Sequence, residues 1–162
     1  MPDPDRIVIR RLLADDWEEF RSIRLRALAD APQAFSSTLD EALRLADDEW
    51  RHRLRGRVQF IAITGGGAVG TAGGLEDGAG AQLISMWVDP RARRSGVGSR
   101  LVTAVSEWAR DCGCAALCLW VVEANLAAEG LYLRCGFSRT GKSKPVGSAH
   151  PGRQEFEMRL PL

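Results

Sequence analysis

Apolar residues recur along this chain in two rhythms, and the switches between them mark its elements. Ile7 to Leu12 alternates loosely and predicts a first strand. Trp17, Phe20, Ile23 and Ala27 follow at spacings of three, three and four, an amphipathic helix that reaches about Ala29 before Pro32 stops it. Asp15 and Asp16 offer its N-cap, with Glu18 and Glu19 three residues on. A second helical stretch from about Leu39 to Leu54 places Leu43, Ala46, Trp50 and Leu54 on one face. Val58 to Thr64, Ala68 to Leu75 and Gln82 to Val88 read as strands. Joined at Gly65-Gly66-Gly67 and at Glu76-Asp77-Gly78, they predict an antiparallel meander.

After Val88 the period changes. Val97, Leu101, Val105, Trp108 and Cys112 form a helical stripe ended by Gly113. Ala116 to Val122 is a continuous apolar run, as for a strand covered on both faces. A helix from Asn125 to about Arg134, a strand from Phe137, a loop from Gly141 to Arg153 and a last strand from Gln154 to Leu160 complete the chain. This order predicts an α/β fold, a mixed sheet with helices on both faces. The strand–helix–strand unit from Gln82 to Val122 should be a right-handed parallel crossover.

A length of 162 residues fits one domain over 1–162, able to bury roughly 70% of its unfolded surface without a staple. The net charge of +1 argues against a dedicated nucleic-acid binder. The apolar run from Cys114 to Val122 is too short to cross a membrane, and Met1 to Arg6 lacks a leader pattern. A cytoplasmic protein, bound neither to nucleic acid nor to a membrane, is expected. Cys112, Cys114, Cys118 and Cys135 do not fall at a zinc spacing, so reduced, mostly buried thiols and no metal are expected.

Candidate chemistry concentrates in Trp87 to Arg100. A strand ends, a basic turn with Arg91, Arg93 and Arg94 follows, and Gly96 and Gly98 open a helix. The first backbone N–H groups of a helix lack partners, and its macrodipole is positive there. Glycines at that point let a diphosphate approach the amides. The segment is neither a Walker A loop nor a dinucleotide fingerprint, and an ordinary turn with solvated arginines is the plainer reading. Further on, Asn125, Ala128 and Tyr132 share one helix face. Tyr132, the only tyrosine, is a plausible proton donor to a departing thiolate, while asparagine at 125 is also a good N-cap.

With these residues in place, the sequence resembles the GNAT family of N-acetyltransferases. Arg93 to Gly98 matches the family's Gln/Arg-x-x-Gly-x-Gly/Ala loop. Asn125 to Phe137 matches Asn-x-x-Ala-x-x-Leu-Tyr-x-x-x-Gly-Phe at every defined position. The resemblance implies a GNAT-like mixed, mostly antiparallel sheet of about six to seven strands, flanked by about four helices and splayed between its two central strands. It implies acetyl-CoA as co-substrate and an amine acceptor, and it allows a homodimer. Backbone groups of Met86, Trp87 and Val88 would pair with the pantetheine arm. Amides of Arg93, Arg94, Ser95, Gly96, Val97, Gly98 and Ser99 would hold the pyrophosphate. Asn125 would contact the cofactor arm, and Tyr132 would protonate the CoA sulfur as general acid.

The base is less defined, because neither central strand carries an acid. Glu123, just past the second, is the first choice, with Glu76, Asp77 and Asp89 as alternatives. Acetyl transfer to a primary amine by direct attack in a ternary complex is the expected function. A non-catalytic acyl-CoA sensor and a partner-binding domain are the competing classes. Asp40, Glu41, Asp47, Asp48 and Glu49 offer a surface for a polycation, or simply a solvated helix face. Lys144 and His150 lie in the late loop, where an acceptor would be reached.

Overall fold

The computed structural model describes residues 6–78 and 80–162; the reading of the first residues as lacking a leader falls on 1–5, outside the described residues. Seven strands form one sheet: β1 (Val8–Arg11), β2 (Val58–Thr64), β3 (Gly67–Asp77), β4 (Gly80–Val88), β5 (Ala116–Val122), β6 (Ser138–Pro145) and β7 (Gln154–Pro161). Their spatial order is β1-β2-β3-β4-β5-β7-β6, antiparallel throughout except for the parallel pair β4 and β5. Among the described residues five α-helices flank it: α1 (Trp17–Asp30), α2 (Leu39–Leu43), α3 (Asp47–Arg55), α4 (Val97–Asp111) and α5 (Leu126–Arg134).

The meander, the α4 crossover and the last two strands lie where the sequence predicts them, with three departures. The long second helix is two helices, because each half has its own start signal. Thr38 Oγ1 accepts from the Glu41 amide at 3.2 Å while Glu41 caps Thr38 in return, and Glu49 accepts from the Ala46 amide at 2.7 Å. The break changes the phase, so Ala42 turns inward while Leu43 and Ala46 are exposed. Ahead of α1, Asp16 accepts from the Leu13 amide at 2.8 Å; it closes the preceding turn rather than capping the helix. β6 also extends through Pro145, into the stretch read as loop, because Ser143 to Pro145 pair with β7.

Each sheet face carries its own core. On one side α4 and α5 bury Val97, Leu101, Val105 and Tyr132 against Ala62, Ala72, Leu83, Leu117, Leu119 and Met158. On the other, α1 to α3 bury Phe20, Ile23, Leu28, Trp50 and Leu54 against Ile61 and Trp87. The glycines of β3 set the spacing of the first core. A Cβ at Gly74 would stand 2.5 Å from Trp108 Cζ3, and one at Gly70 would stand 2.9 Å from Val97 Cγ1. Their small size lets α4 lie close to the sheet. β5 is covered unevenly: Leu117, Leu119 and Val121 are buried, but Trp120 is half-buried, so its second face is only partly covered. The cysteines are free and more open than expected, Cys112 exposed and the other three half-buried. Among the described residues, no helix is long and apolar enough to cross a membrane.

Candidate functional site

The sheet opens at its one parallel junction. Among the described residues, β4 and β5 pair only at Ala81 with Leu117 and Gln82 with Cys118, then part. Beyond Gln82 the β5-facing edge of β4, which includes Met86, Trp87 and Val88, has no strand partner, while its other edge stays paired to β3. A bulge shapes this edge. Between Thr71 and Gly73 of β3 the register steps from Trp87 to Ile84, one residue more on β4 than on β3, and Ser85 takes φ +54°. A serine in the left-handed region costs on the order of 1–3 kcal/mol and marks a backbone held for a purpose. The extra residue reverses the faces of β4. Leu83 packs on the α4 side, and Trp87 on the α1 side, where its indole donates to Asp30 at 2.9 Å.

A cavity of about 280 Å³ fills the gap. Its walls are β4 from Gln82 to Met86, β5 from Leu119 to Val122, Asn125 at the start of α5, and Ala128 and Tyr132 within it. Arg24, Phe35 and Ser36 line it on the α1 side, and Lys144 and Glu155 line it from β6 and β7. The helix face read from the sequence is therefore a cavity wall. Asn125 caps α5, its Oδ1 accepting from the Ala128 amide at 3.3 Å. Tyr132 is 6% exposed, its ring 5.8 Å from that of Phe137. Burial, and secondarily the neighbouring Cys135, push its phenol above the ordinary value, so it holds its proton at neutral pH.

At the mouth of the gap, Gly96 takes φ +87° as the N-cap of α4, and Arg94 before it also has positive φ, +63°. The Arg100 amide already bonds Gly96 O at 3.1 Å, which leaves the amides of Val97, Gly98 and Ser99 as the unpartnered first turn. Gly98 has a second role that the motif does not show: a Cβ there would meet Leu131 Cδ2 at 2.9 Å, so the glycine lets α4 and α5 close on each other. The arginines are mostly occupied. Arg93 donates to Val88 O and to Asp30, Arg91 pairs with Asp89, and Arg100 reaches Ile7 O. Ser95 Oγ donates to Ala92 O, and Arg94 is exposed.

The carboxylates sort differently from expectation. Glu123 is exposed and absent from the cavity wall, its Oε1 accepting from the Gln154 amide at 3.4 Å. Glu76 and Asp77 face the start of β4, the end where β4 and β5 are still joined. Asp89 is clamped by Arg26 at 2.7 Å and Arg91 at 2.9 Å, which hold its carboxyl well below the usual range and make it an anchor for the loop. The carboxylate in the cavity is Glu155, whose side chain is 14% exposed, 3.5 Å from the Lys144 ammonium. No sequence signal singled it out, because it alternates with Phe156 and Met158 like any outward strand position. Arg24 did leave a signal: it sits four residues after Phe20 and three before Ala27, inside the apolar stripe of α1.

The family model of the acetyltransferase (GNAT) family matches residues 10–137. The mycothiol acetyltransferase of Thermobispora bispora is 33% identical over 76% of this chain and 43% of its own length. The chain spans less than half the length of the curated relatives it matches. In fold it is similar to an acetyltransferase of the GNAT family from Streptococcus pneumoniae, with a TM-score of 0.79 at 22% identity over 97% of this chain and all of that one. An acetyltransferase from Salmonella typhimurium, solved with its cofactor acetyl-CoA, superposes with a TM-score of 0.75 at 21% identity, over 96% of this chain and 94% of that one.

Proposed function

Because the chain belongs to the acetyltransferase (GNAT) family, we propose that it is an acyltransferase that moves an acetyl group from acetyl-CoA to a primary amine by direct attack in a ternary complex. The observation that carries this reading is the parting of β4 and β5 after Gln82, with Tyr132 in the wall of the resulting cavity. The residues fit the co-substrate on both counts that matter. The open edge of β4 at Met86, Trp87 and Val88 can accept an extended amide-bearing arm as a further strand would. The unpartnered amides of Val97, Gly98 and Ser99, with Arg93, Arg94, Ser95 and Gly96 leading into them, suit a diphosphate at a helix start.

When bound, the thioester supplies an activated acetyl group. The chain's own residues then do four things. We assign to the backbone N–H groups of the bulge at Ser85, a residue of the cavity wall, the stabilisation of the negative charge that develops on the carbonyl oxygen. Tyr132 holds a proton at its phenolic oxygen and delivers it to the departing sulfur. Glu155, rather than Glu123, takes the proton released by the amine, directly or through water. Asn125 uses its Oδ1 to fix the start of α5 and leaves its amide nitrogen for the cofactor arm.

The test is release of free CoA thiol from acetyl-CoA during incubation with a panel of primary amines. Acceptor-dependent release that falls by about 10²-fold or more in Tyr132→Phe is the expected result. Tight acetyl-CoA binding without release on any amine would refute transfer.

A further inference from the structure

The proposal of acetyl transfer leaves the acceptor open, and resting on that reading, one feature of the cavity narrows it. Arg24 is 7% exposed, yet among the described residues it has no carboxylate partner. Its Nη2 donates to Ser37 Oγ at 2.8 Å, its guanidinium stacks on the Phe35 ring at 4.5 Å from the centroid, and its Nη1 is buried with no hydrogen-bond partner. Buried charges in folded proteins are ordinarily paired, because removal from water is costly and only a counter-charge offsets it. Here the neighbours worsen the cost. Burial first, then the charges of Arg57 and Arg53, push Arg24 down to about 10. Arg57 in turn donates to Ser85 Oγ at 3.2 Å, so a second guanidinium stands behind the bulge.

The position of this cation excludes the CoA phosphates as its natural partner. The unpartnered α4 amides lie with Val97 on the α4 face of the sheet, whereas Phe35 beneath Arg24 belongs to the α1 face. The cavity has walls from both faces, so Arg24 and the Glu155–Lys144 pair line the same space. We propose that the acceptor carries a carboxylate on the same molecule as its amine, and that Arg24 receives this carboxylate while the amine faces the thioester. The substrate class is amino-carboxylates. Polycations are disfavoured, and three acids of the run that would attract them are engaged locally: Glu41 and Glu49 cap helices, and Asp48 pairs with Arg51.

The experiment compares matched acceptors sharing one side chain: an L-amino acid, its amide, its decarboxylated amine, and an aminoalkyl phosphate, each assayed by thiol release. The expected kcat/KM favours the carboxylate over the amide by about 10- to 100-fold, the range for a charge-assisted hydrogen bond. Arg24→Gln should bring the ratio to within about threefold of unity, mainly through KM, and Arg24→Lys should restore part of it. Acetyl-CoA affinity, measured by calorimetry, reports whether each variant is folded. A second measurement needs no turnover: the melting temperature of the CoA-saturated protein in N-acetyl-amino acids and in their amides. The acids should raise it in the wild type and not in Arg24→Gln. Equal kcat/KM or equal melting shifts for acid and amide would overturn the carboxylate site, as would preference for the phosphate. If no amine releases thiol but the acid-specific shift depends on Arg24, transfer fails and the carboxylate site stands. If amines are acetylated without carboxylate preference, the site fails and transfer stands.

Discussion

Replacing Tyr132 with phenylalanine removes one oxygen from the cavity wall and little else. The ring is 94% buried by its 6% exposure and stays packed beside Phe137 at 5.8 Å between centroids, so its apolar contacts survive. The loss or gain in stability should stay within about 1 kcal/mol, the scale of a single hydroxyl in a folded protein. Catalysis should respond far more. A positioned general acid contributes about 10²–10⁴ in rate, which at about 1.36 kcal/mol per tenfold is about 2.7–5.4 kcal/mol of transition-state stabilisation. Acetyl-CoA affinity should change little, because the proposed contacts to it are backbone groups of β4 and α4. The assay is single-turnover thiol release beside calorimetric acetyl-CoA titration, for wild type and variant. A variant with wild-type kcat under chemistry-limited conditions would refute the acid role, and joint collapse of kcat and affinity would make Tyr132 a binding residue. The raised phenol pKa adds a sign that can be checked. Its stabilising contribution is complete below the unfolded value of about 10 and is lost as pH rises above it towards the folded value. Tyr132→Phe should therefore flatten the alkaline loss of stability.

Gly96→Ala places a side chain at φ +87° and should cost about 1–2 kcal/mol while weakening acetyl-CoA binding, as thermal melts with and without CoA will show. Gly74→Ala puts a Cβ 2.5 Å from Trp108 Cζ3; denaturant unfolding should reveal a loss of about 1–3 kcal/mol, and an unchanged midpoint would contradict the close approach of α4. Asp89→Asn leaves Arg26 and Arg91 without their carboxylate and should cost about 1–3 kcal/mol at neutral pH, measured by denaturant unfolding. Because the Asp89 pKa is depressed, its contribution is present above the ordinary carboxylate value of about 3.9 and lost as pH falls below it. The difference between wild type and Asp89→Asn should therefore shrink in acid.

What was legible in the sequence follows from what each feature depends on. The meander, α4 and β5 rest on local periodicity, and their bounds come within a few residues of the structure. The face shared by Asn125, Ala128 and Tyr132 was legible because helical spacing alone fixes it. The break between α2 and α3 was hidden by an apolar period that runs across it; its signals are Thr38 with Glu41 and Glu49 before Trp50. The wall carboxylate was not legible because chain proximity to β5 favoured Glu123, whereas antiparallel pairing brings Glu155 beside Val122 and into the wall. Gly98 reads in the motif as room for a phosphate, and packing against Leu131 is visible only when α5 is in place. The cation in the apolar stripe of α1 was present in the sequence, but the ring beneath it and its missing counter-charge are tertiary facts.

The two residue pairs that join β4 to β5 make this sheet a structure of two panels. β1 to β4 form one, β5, β7 and β6 the other, and among the described residues the strands pair across the joint only at Ala81–Leu117 and Gln82–Cys118. What braces the panels is the common core under α4, where Leu101 and Val105 cluster with Ala72 of one panel and Leu119 of the other. An occupant bonded along the open edge of β4 would act as a splint across that seam. Occupancy and stiffness are then one variable, so amide exchange along β4 and β5 should slow together when the edge is filled.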